Sequence, residues 1–273
     1  MQKNFQLNKI NDLQFYTIPL FENTRQVMCA FTTRHGGFSE PPYDTLNLAY
    51  HVGDDIDIVR KNRQLVCDAL GIELADLVSA DQVHGDVVKE VVAADMGQGA
   101  LDYDTAIPAT DAIMTNVRGI PLATFYADCV PVFLMDPIKQ VIALAHAGWK
   151  GTVLHIGQKT VQRMNALYGC DPADMIAAIA PSIGPCCFEV DSEVLDKFKA
   201  AFSYWRELAE ESGKNKWQVN LWEANRRQLI EAGLQSEKIV VAKVCTNCQS
   251  DLLFSYRAGK GQTGRMGALL MLK

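Results

Sequence analysis

The sequence predicts an α+β fold in which mixed β-sheets are flanked by helices. Strand-like and helix-like segments follow one another along all 273 residues, and three successive strands lie too close together for helical crossovers. Hydrophobic residues make up 48% of the chain, enough to bury a substantial core. No repeat or low-complexity linker interrupts the sequence, so we expect one domain spanning residues 1–273.

Nine apolar segments rich in β-branched residues are predicted strands: 27–33, 86–92, 111–115, 122–126, 130–135, 141–145, 175–180, 239–244 and 266–272. The segments at 122–126, 130–135 and 141–145 should pair antiparallel or form a meander. Strand 141–145 should then open a βαβ unit that closes with strand 175–180.

Four amphipathic segments, 57–70, 152–168, 192–202 and 221–232, are predicted helices. Gly71 and Gly169 are natural stops for the first two. Asn220 has the spacing of an N-cap with Glu223 three residues later, where the fourth helix begins. The polar stretches 94–110 and 207–217 are predicted long loops.

Composition excludes several classes of protein. The net charge of −6 gives no support for nucleic acid as the main partner, and no run of 18 apolar residues predicts a membrane span. The N-terminal segment lacks the apolar run of a secretory signal, so we expect a cytoplasmic protein whose eight cysteines are free thiols. Nothing resembles a coiled coil, and either a monomer or a small homo-oligomer fits.

Three residues that can bind a metal stand where a strand meets a turn: His84, Cys129 and His146. Two imidazoles and a thiolate suit Zn²⁺, and three protein ligands leave one position for water or substrate. The separations of 45 and 17 residues match no local zinc motif. The alternative is that these histidines are ordinary polar groups at strand ends.

Six segments together resemble the YfiH-type family, also called the multicopper polyphenol oxidase or laccase-domain family: TTRHGGFS, DQVHG, ADCVPVFL, AHAGWKGT, APSIGPCCFEV and SYRAGKGQTGR. The resemblance covers nearly the whole chain in the expected order. It implies a fold similar to that of cytotoxic necrotizing factor and YfiH, and zinc ligands at His84, Cys129 and His146. It also implies phosphorolysis of inosine, adenosine and S-methyl-5′-thioadenosine, with inorganic phosphate as co-substrate, and hydrolytic deamination of adenosine.

Phosphate binding would explain the turn in AHAGWKGT. Gly148 and Gly151 allow close approach of the backbone, Lys150 supplies a cation, and the helix opening near Thr152 offers free N–H groups. The alternative is a plain strand-to-helix connection with a solvated lysine.

Arginines supply further candidates for phosphate binding. Arg34 could form a bidentate clamp, unless it is a surface residue of a hairpin. Arg257 and Arg265 lie in a glycine-rich loop that could be an active-site flap or a mobile connection.

Deamination requires a metal-activated water and a proton shuttle. The H-x-E motif of known zinc deaminases is absent. Asp128, next to Cys129, is the candidate shuttle, although it could equally cap a turn, and Asp81 is a weaker alternative. His35 and His51 could lie near the pocket, whereas His155 is predicted to lie inside a helix.

Other chemistries remain open. Five histidines cannot assemble the copper centres of a multicopper oxidase, although a single Cu²⁺ could replace zinc. Cys129 and His146 could instead form a metal-free nucleophilic pair, as in a toxin deamidase of similar fold, which would make the protein a cysteine hydrolase or amidase. His84 discriminates between the two, since only the zinc site needs it. A non-enzymatic binding module ranks last.

The other cysteines carry weaker signals. Cys186 and Cys187 are adjacent and are expected to be small buried thiols in the pocket wall. Cys245 and Cys248 have the CxxC spacing, but no second CxxC accompanies them, so we expect a chance pairing.

Overall fold

A computed structural model describes residues 4–273 as two six-stranded sheets packed face to face, with helices on both outer sides. The N-terminal segment, which was expected not to be a secretory signal, begins with three residues that lie outside the described residues. Within residues 4–273, no helix is both long and apolar enough to span a membrane.

The first sheet contains six strands in the order β1 (Gln6–Ile10), β2 (Leu13–Thr17), β3 (Val27–Thr32), β15 (Met266–Leu272), β7 (Leu122–Tyr126) and β4 (Val78–Ser79). All of its neighbours pair antiparallel except β4 and β7, which run parallel.

The second sheet has the order β14 (Ile239–Val241), β10 (Ile176–Ile179), β8 (Val130–Asp136), β9 (Val141–Ala147), β6 (Ala112–Thr115) and β5 (Val88–Glu90). Its central pairs are antiparallel and its two outermost pairs are parallel. A small antiparallel sheet is formed by β11 (Glu189–Asp191), β13 (Lys216–Val219) and β12 (Ala209–Gly213).

The helices are α1 (Pro19–Glu22), α2 (Ile56–Leu70), α3 (Trp149–Val153), α4 (Ile156–Tyr168), α5 (Ser192–Ala201), α6 (Trp205–Leu208) and α7 (Leu221–Glu231). Helix α2 covers the outer face of the first sheet, and α4, α5 and α7 cover the outer face of the second. The result is a four-layer arrangement of helix, sheet, sheet and helices.

The period-2 alternation of β8 shows how the layers form. Phe133 and Met135 point into the core between the sheets, whereas Val132 and Leu134 point toward the helices. All residues of β8 and β9 are buried. A strand covered on both faces is largely apolar, and in these two strands only Asp136 and His146 are polar.

The predicted fold class is confirmed, but the connections differ from prediction. Strands β8 and β9 pair antiparallel as expected, whereas β7 belongs to the other sheet. The chain therefore crosses between sheets at residues 127–129 instead of continuing a meander. Strand β10 runs parallel to β9, as a βαβ unit requires, but β8 lies between them.

The prediction of one helix over residues 152–168 is wrong at its start. A short helix, α3, begins at Trp149, and His155 then adopts a left-handed conformation with φ +61° before α4 begins. His155 therefore lies at a break and not inside a helix. The stretch 207–217 is not a loop either, since it contains β12 and the start of β13. The N-cap prediction is confirmed, because Asn220 Oδ1 accepts a 3.0 Å bond from the Glu223 N–H.

Candidate active site

Two connections and the end of a strand bring the predicted metal ligands together. His84 follows β4, Cys129 lies where the chain crosses from β7 to β8, and His146 is the penultimate residue of β9. The register of β8 and β9 pairs His146 with Pro131, two residues after Cys129. One potential ligand atom from each residue falls in a cluster spanning no more than 4.8 Å. The exposure decreases from His84 through Cys129 to buried His146, so the cluster opens to solvent on one side.

A buried carboxylate orients the cluster. Asp111 Oδ1 lies 2.8 Å from His146 Nδ1, so the other ring nitrogen, Nε2, is the one that can bond to Cys129 or bind a metal. The same carboxylate accepts backbone bonds from His84, at 2.9 Å, and Gly85, at 2.6 Å. Asp111 was not among the predicted site residues. Its signal in the sequence was a lone acidic residue at the start of an apolar strand.

The local backbone is adapted to close contact. His84 has φ +62°, a left-handed conformation that costs energy outside glycine and is here supported by its bond to Asp111. A Cβ at Gly148 would lie 2.8 Å from Cys129 Sγ and 3.1 Å from His84 Cδ2. Glycine is therefore required at position 148 because the two ligands fill the space beside it.

The ionisation of Cys129 and that of His146 depend on each other. Burial would raise the pKa of Cys129, but the positive charge of His146 and hydrogen bonds from His146 and His84 lower it. Burial likewise opposes the charged form of His146, but the thiolate of Cys129 and the bond to Asp111 raise its pKa. The site thus favours a thiolate, which is the form that binds a metal or acts as a nucleophile.

The donor set fits Zn²⁺. His84 Nε2 lies 3.7 Å from Cys129 Sγ, a separation compatible with two ligands of one ion, and the two histidine rings are 4.8 Å apart between centroids. The Asp111–His146 bond is the carboxylate–histidine arrangement that commonly orients zinc ligands. Three protein ligands would leave one coordination position open for water or another molecule.

The cluster lines a cavity of about 510 Å³, a size suited to a small-molecule ligand. Its wall combines apolar and aromatic groups with polar ones: His51, Gln82, His84, Phe125, Ala127, Asp128, Cys129, His146, Trp149, Lys150, Ile183, Phe188, Leu221, Tyr256, Arg257 and Arg265. His51, which was expected from the sequence only to lie near the pocket, is in this wall, and desolvation together with the charge of Arg265 lowers its pKa.

Three cations face this cavity: Lys150, Arg257 and Arg265. Lys150 is exposed and has no ion-pair partner among residues 4–273. Arg265 uses one guanidinium nitrogen to donate to the carbonyls of Thr263 and Gly264. Lys150 and Arg265, the two predicted phosphate ligands in this cavity, therefore keep hydrogen-bond donors for an anion.

Arg34, the other predicted phosphate ligand, is not brought into the cavity. Its guanidinium donates to the carbonyls of Asp44, at 2.9 Å, and Ser250, at 2.8 Å, and pairs with the Asp44 carboxylate at 3.0 Å. Arg34 lies between two loops and holds them together, and each of its three guanidinium nitrogens already has a partner.

Asp128, the predicted proton shuttle, lies in the cavity wall, but both carboxylate oxygens have partners. Oδ1 accepts a 2.6 Å bond from the Thr246 hydroxyl, and Oδ2 accepts a 2.7 Å bond from the Arg257 N–H. These bonds hold a neighbouring loop against the cavity. The weaker alternative, Asp81, pairs with the Tyr103 hydroxyl.

A model of the family "Multi-copper polyphenol oxidoreductase laccase" matches residues 28–273. Among similar curated proteins, purine nucleoside phosphorylase YlmD of Bacillus subtilis is 41% identical, covering 92% of this chain and 91% of its own length. Its Geobacillus stearothermophilus counterpart is 38% identical, over 89% of both chains. Adenosine deaminase RL5, from an unknown prokaryotic organism, is 35% identical, over 86% of this chain and 90% of its own.

Solved structures agree with these matches. The YfiH protein of Bacillus licheniformis superposes with a TM-score of 0.93 at 39% identity, covering 98% of this chain and 99% of that one. YlmD of Geobacillus stearothermophilus also gives a TM-score of 0.93, at 36% identity and with 99% of both chains covered.

Proposed function

The chain belongs to the multi-copper polyphenol oxidoreductase laccase family, and on that basis we propose that it is a zinc-dependent purine nucleoside phosphorylase that also deaminates adenosine. The proposed substrates are inosine, adenosine and S-methyl-5′-thioadenosine, each with inorganic phosphate. The observation that supports this most is the presence of a metal-ligand cluster, three cations and aromatic walls in one cavity. The names of the similar phosphorylases and of the similar deaminase point the same way.

The proposed metal ligands are His84 Nε2, Cys129 Sγ and His146 Nε2, with Asp111 fixing the tautomer of His146. When bound, Zn²⁺ would supply a Lewis acid that polarises water or a substrate oxygen. Cu²⁺ could replace it, because imidazole and thiolate also suit copper. Two histidines in the cluster and five in the chain do not suffice for a multicopper oxidase.

Phosphorolysis needs an anion held beside C1′ of the ribose while positive charge develops on the sugar. Lys150 and Arg265 are the proposed phosphate ligands, with Arg257 as a third cation at the same wall. Phe188 and Tyr256 offer aromatic faces against which a purine can pack. This arrangement positions reactants and balances charge, which is most of what the reaction requires.

The first experiment is product analysis on purified, zinc-loaded protein given adenosine with and without phosphate. We expect adenine and ribose 1-phosphate only when phosphate is present, and inosine in both reactions. The same assay with S-methyl-5′-thioadenosine should release adenine and methylthioribose 1-phosphate. Unchanged adenosine in both reactions would refute the purine assignment.

A second candidate function is supported by the charged pair of Cys129 and His146. A thiolate beside an imidazolium is also the resting state of a cysteine hydrolase, and Asp111 would then be the third group that orients the histidine.

His84→Ala separates the two functions. The zinc model predicts loss of one bound zinc and a fall of about 100-fold or more in kcat/KM for adenosine. Retention of most activity would favour the metal-free hydrolase, which amide substrates would then test.

A further inference from the structure

Four cysteines outside the active-site cluster meet on the protein surface. Cys186 and Cys187 follow β10, and Cys245 and Cys248 follow β14, so two sequence-distant loops contribute one pair each. Their Sγ atoms lie within 4.8 Å of one another. The prediction of buried thiols is wrong for Cys186, which is exposed, and the CxxC pair is not isolated as the sequence suggested. We refer to these four residues as the four-cysteine cluster.

Two sulfur–sulfur distances in the cluster are close to the edge of a metal-centred tetrahedron, and all of them lie within 4.8 Å. Cys248 Sγ is 3.5 Å from Cys186 Sγ and 3.4 Å from Cys187 Sγ. Four thiolates at the usual zinc–sulfur bond length of about 2.3 Å would be about 3.8 Å apart. All four cysteines are free thiols in this structure.

Neighbouring N–H groups are already directed at two of these sulfurs. The backbone N–H of Gly184 donates to Cys245 Sγ at 3.2 Å, and the side-chain amide of Asn247 donates to Cys187 Sγ at 3.1 Å. Donors of this kind stabilise negative charge on sulfur and orient thiolate ligands. Hydrogen bonds to both loops therefore support the cluster as a ligand set, and not only as four nearby side chains.

We propose that the four-cysteine cluster is a second metal site, which binds Zn²⁺ through four thiolates. Four protein ligands leave no open coordination position, which makes the site structural and not catalytic. A metal ion bound there would join the loop after β14, which contains Asn247, to the loop after β10, which contains Gly184. The proposal does not depend on the purine nucleoside activity.

The second site stabilises the wall of the active-site cavity. Thr246 lies between Cys245 and Cys248, and Arg257 follows further along the chain; the Thr246 hydroxyl and the Arg257 backbone N–H both donate to Asp128. Arg257 also donates to the carbonyl of Cys187, at 3.1 Å. Zinc bound at the cluster would add a covalent link between these loops, which hydrogen bonds and apolar packing already connect.

Metal analysis of the purified full-length chain tests the proposal. We expect about two zinc ions per wild-type chain, and one in each of the variants His84→Ala and Cys248→Ser. The double variant should bind none. Cys170→Ser, at a buried thiol outside both clusters, is the matched control and should retain two. One zinc in the wild type that Cys248→Ser does not change would overturn the proposal, as would iron with acid-labile sulfide in place of zinc.

If Cys248→Ser fails to fold, two measurements on proteins that keep all four cysteines test the proposal: the rate of thiol alkylation and the absorption spectrum with Co²⁺. We expect Cys186 and Cys248 to resist iodoacetamide, despite their exposure, until a chelator is added. In His84→Ala, added Co²⁺ should give the strong charge-transfer absorption of several thiolate ligands. Alkylation at equal rates with and without chelator would refute metal binding. So would a disulfide in the cluster, seen as a mass lower by two hydrogens that only a reductant restores.

Discussion

Asp111 Oδ1 and His146 Nδ1 lie 2.8 Å apart, and side-chain exposure is 0% for Asp111 and 4% for His146. This contact fixes which imidazole nitrogen faces Cys129 and His84. Because Asp111 also accepts hydrogen bonds from the backbone N–H groups of His84 and Gly85, one carboxylate positions ligands from two separate parts of the chain. The geometry of the cluster therefore depends on a residue that is not itself a proposed ligand.

Asp111→Asn should weaken zinc binding and activity by about 10–100-fold, the usual range for partners of zinc ligands. The amide lacks the charge that stabilises His146, and it cannot accept from all three N–H groups. Zinc affinity measured by competition with a chelating dye, together with kcat/KM for adenosine, tests this expectation.

Asp136→Asn is the matched control. Asp136 is buried at the end of β8 and accepts backbone bonds from Ile138 and Lys139, but it lies outside the cavity. This variant should keep the zinc affinity of the wild type even if its melting temperature falls. Equal zinc affinities in the two variants would contradict the positioning role of Asp111.

Gly148→Ala should impair the site without unfolding the protein. Gly148 has φ −58°, which any residue can adopt, so only the added Cβ matters. That atom would approach Cys129 Sγ to 2.8 Å and must displace a ligand. We expect a fall of roughly 10–100-fold in kcat/KM, because small misplacements of reacting groups are costly.

A helical glycine offers the comparison for Gly148→Ala. Gly157, in α4, has room for a Cβ, whose nearest neighbour would be Leu229 Cδ2 at 3.6 Å. Gly157→Ala should leave activity unchanged and raise stability by about 0.5–1 kcal/mol. If Gly148→Ala showed full activity and zinc content, the crowding beside Cys129 would have no functional effect.

The fold was predictable where local pattern decides it. Strands β7 and β15 match their predicted ranges residue for residue, because β7 follows Pro121 and ends shortly before Asp128, and β15 lies between Arg265 and Lys273. Strands β7 and β8 were assigned to one meander because short connections favour pairing of neighbours. Only the packing of two sheets shows that residues 127–129 cross from one to the other.

The site was predictable only in part for a similar reason. The sequence marks His84, Cys129 and His146 as polar groups at strand ends, and the structure brings them together. Arg34 has an equally suggestive sequence context, but Asp44 and Ser250 occupy its donors. The pairing of loops that assembles the four-cysteine cluster is long-range, and no spacing rule predicts it.

Lys150→Ala should raise the KM for phosphate about tenfold with little change in zinc content. Lys150 is an exposed cation in the cavity wall, and a hydrogen bond to a charged group contributes about 1.5–3 kcal/mol. Phosphate-dependent release of adenine from adenosine gives the constant directly. Lys197→Ala, at an exposed position of α5, is the control and should behave as wild type. An unchanged KM would remove Lys150 from the phosphate site.

Arg34→Gln should act on stability and not on phosphate binding. The guanidinium of Arg34 connects Asp44 to Ser250, and its loss should cost roughly 1–2 kcal/mol of unfolding free energy. Chemical denaturation and the KM for phosphate are the two measurements. A raised KM with unchanged stability would restore the role predicted for Arg34 from the sequence.

His155 should make the protein less stable as the pH falls below about 6.5, the ordinary pKa of the ring. Burial lowers the pKa of His155 in the folded state, and its Nδ1 is buried without a hydrogen-bond partner among residues 4–273. The unfolded chain therefore takes up a proton that the folded chain does not, so stability is highest above this pH and is lost toward the lowered pKa.

His155→Asn should reduce this pH dependence, because asparagine tolerates φ +61° and does not titrate. Between pH 7.5 and 5, the wild type should lose up to about 1 kcal/mol more stability than the variant, since the ring is only partly buried. Urea unfolding at several pH values measures the two slopes. Parallel slopes would mean that the ring is protonated equally in both states, and that the break between α3 and α4 opens to water in solution.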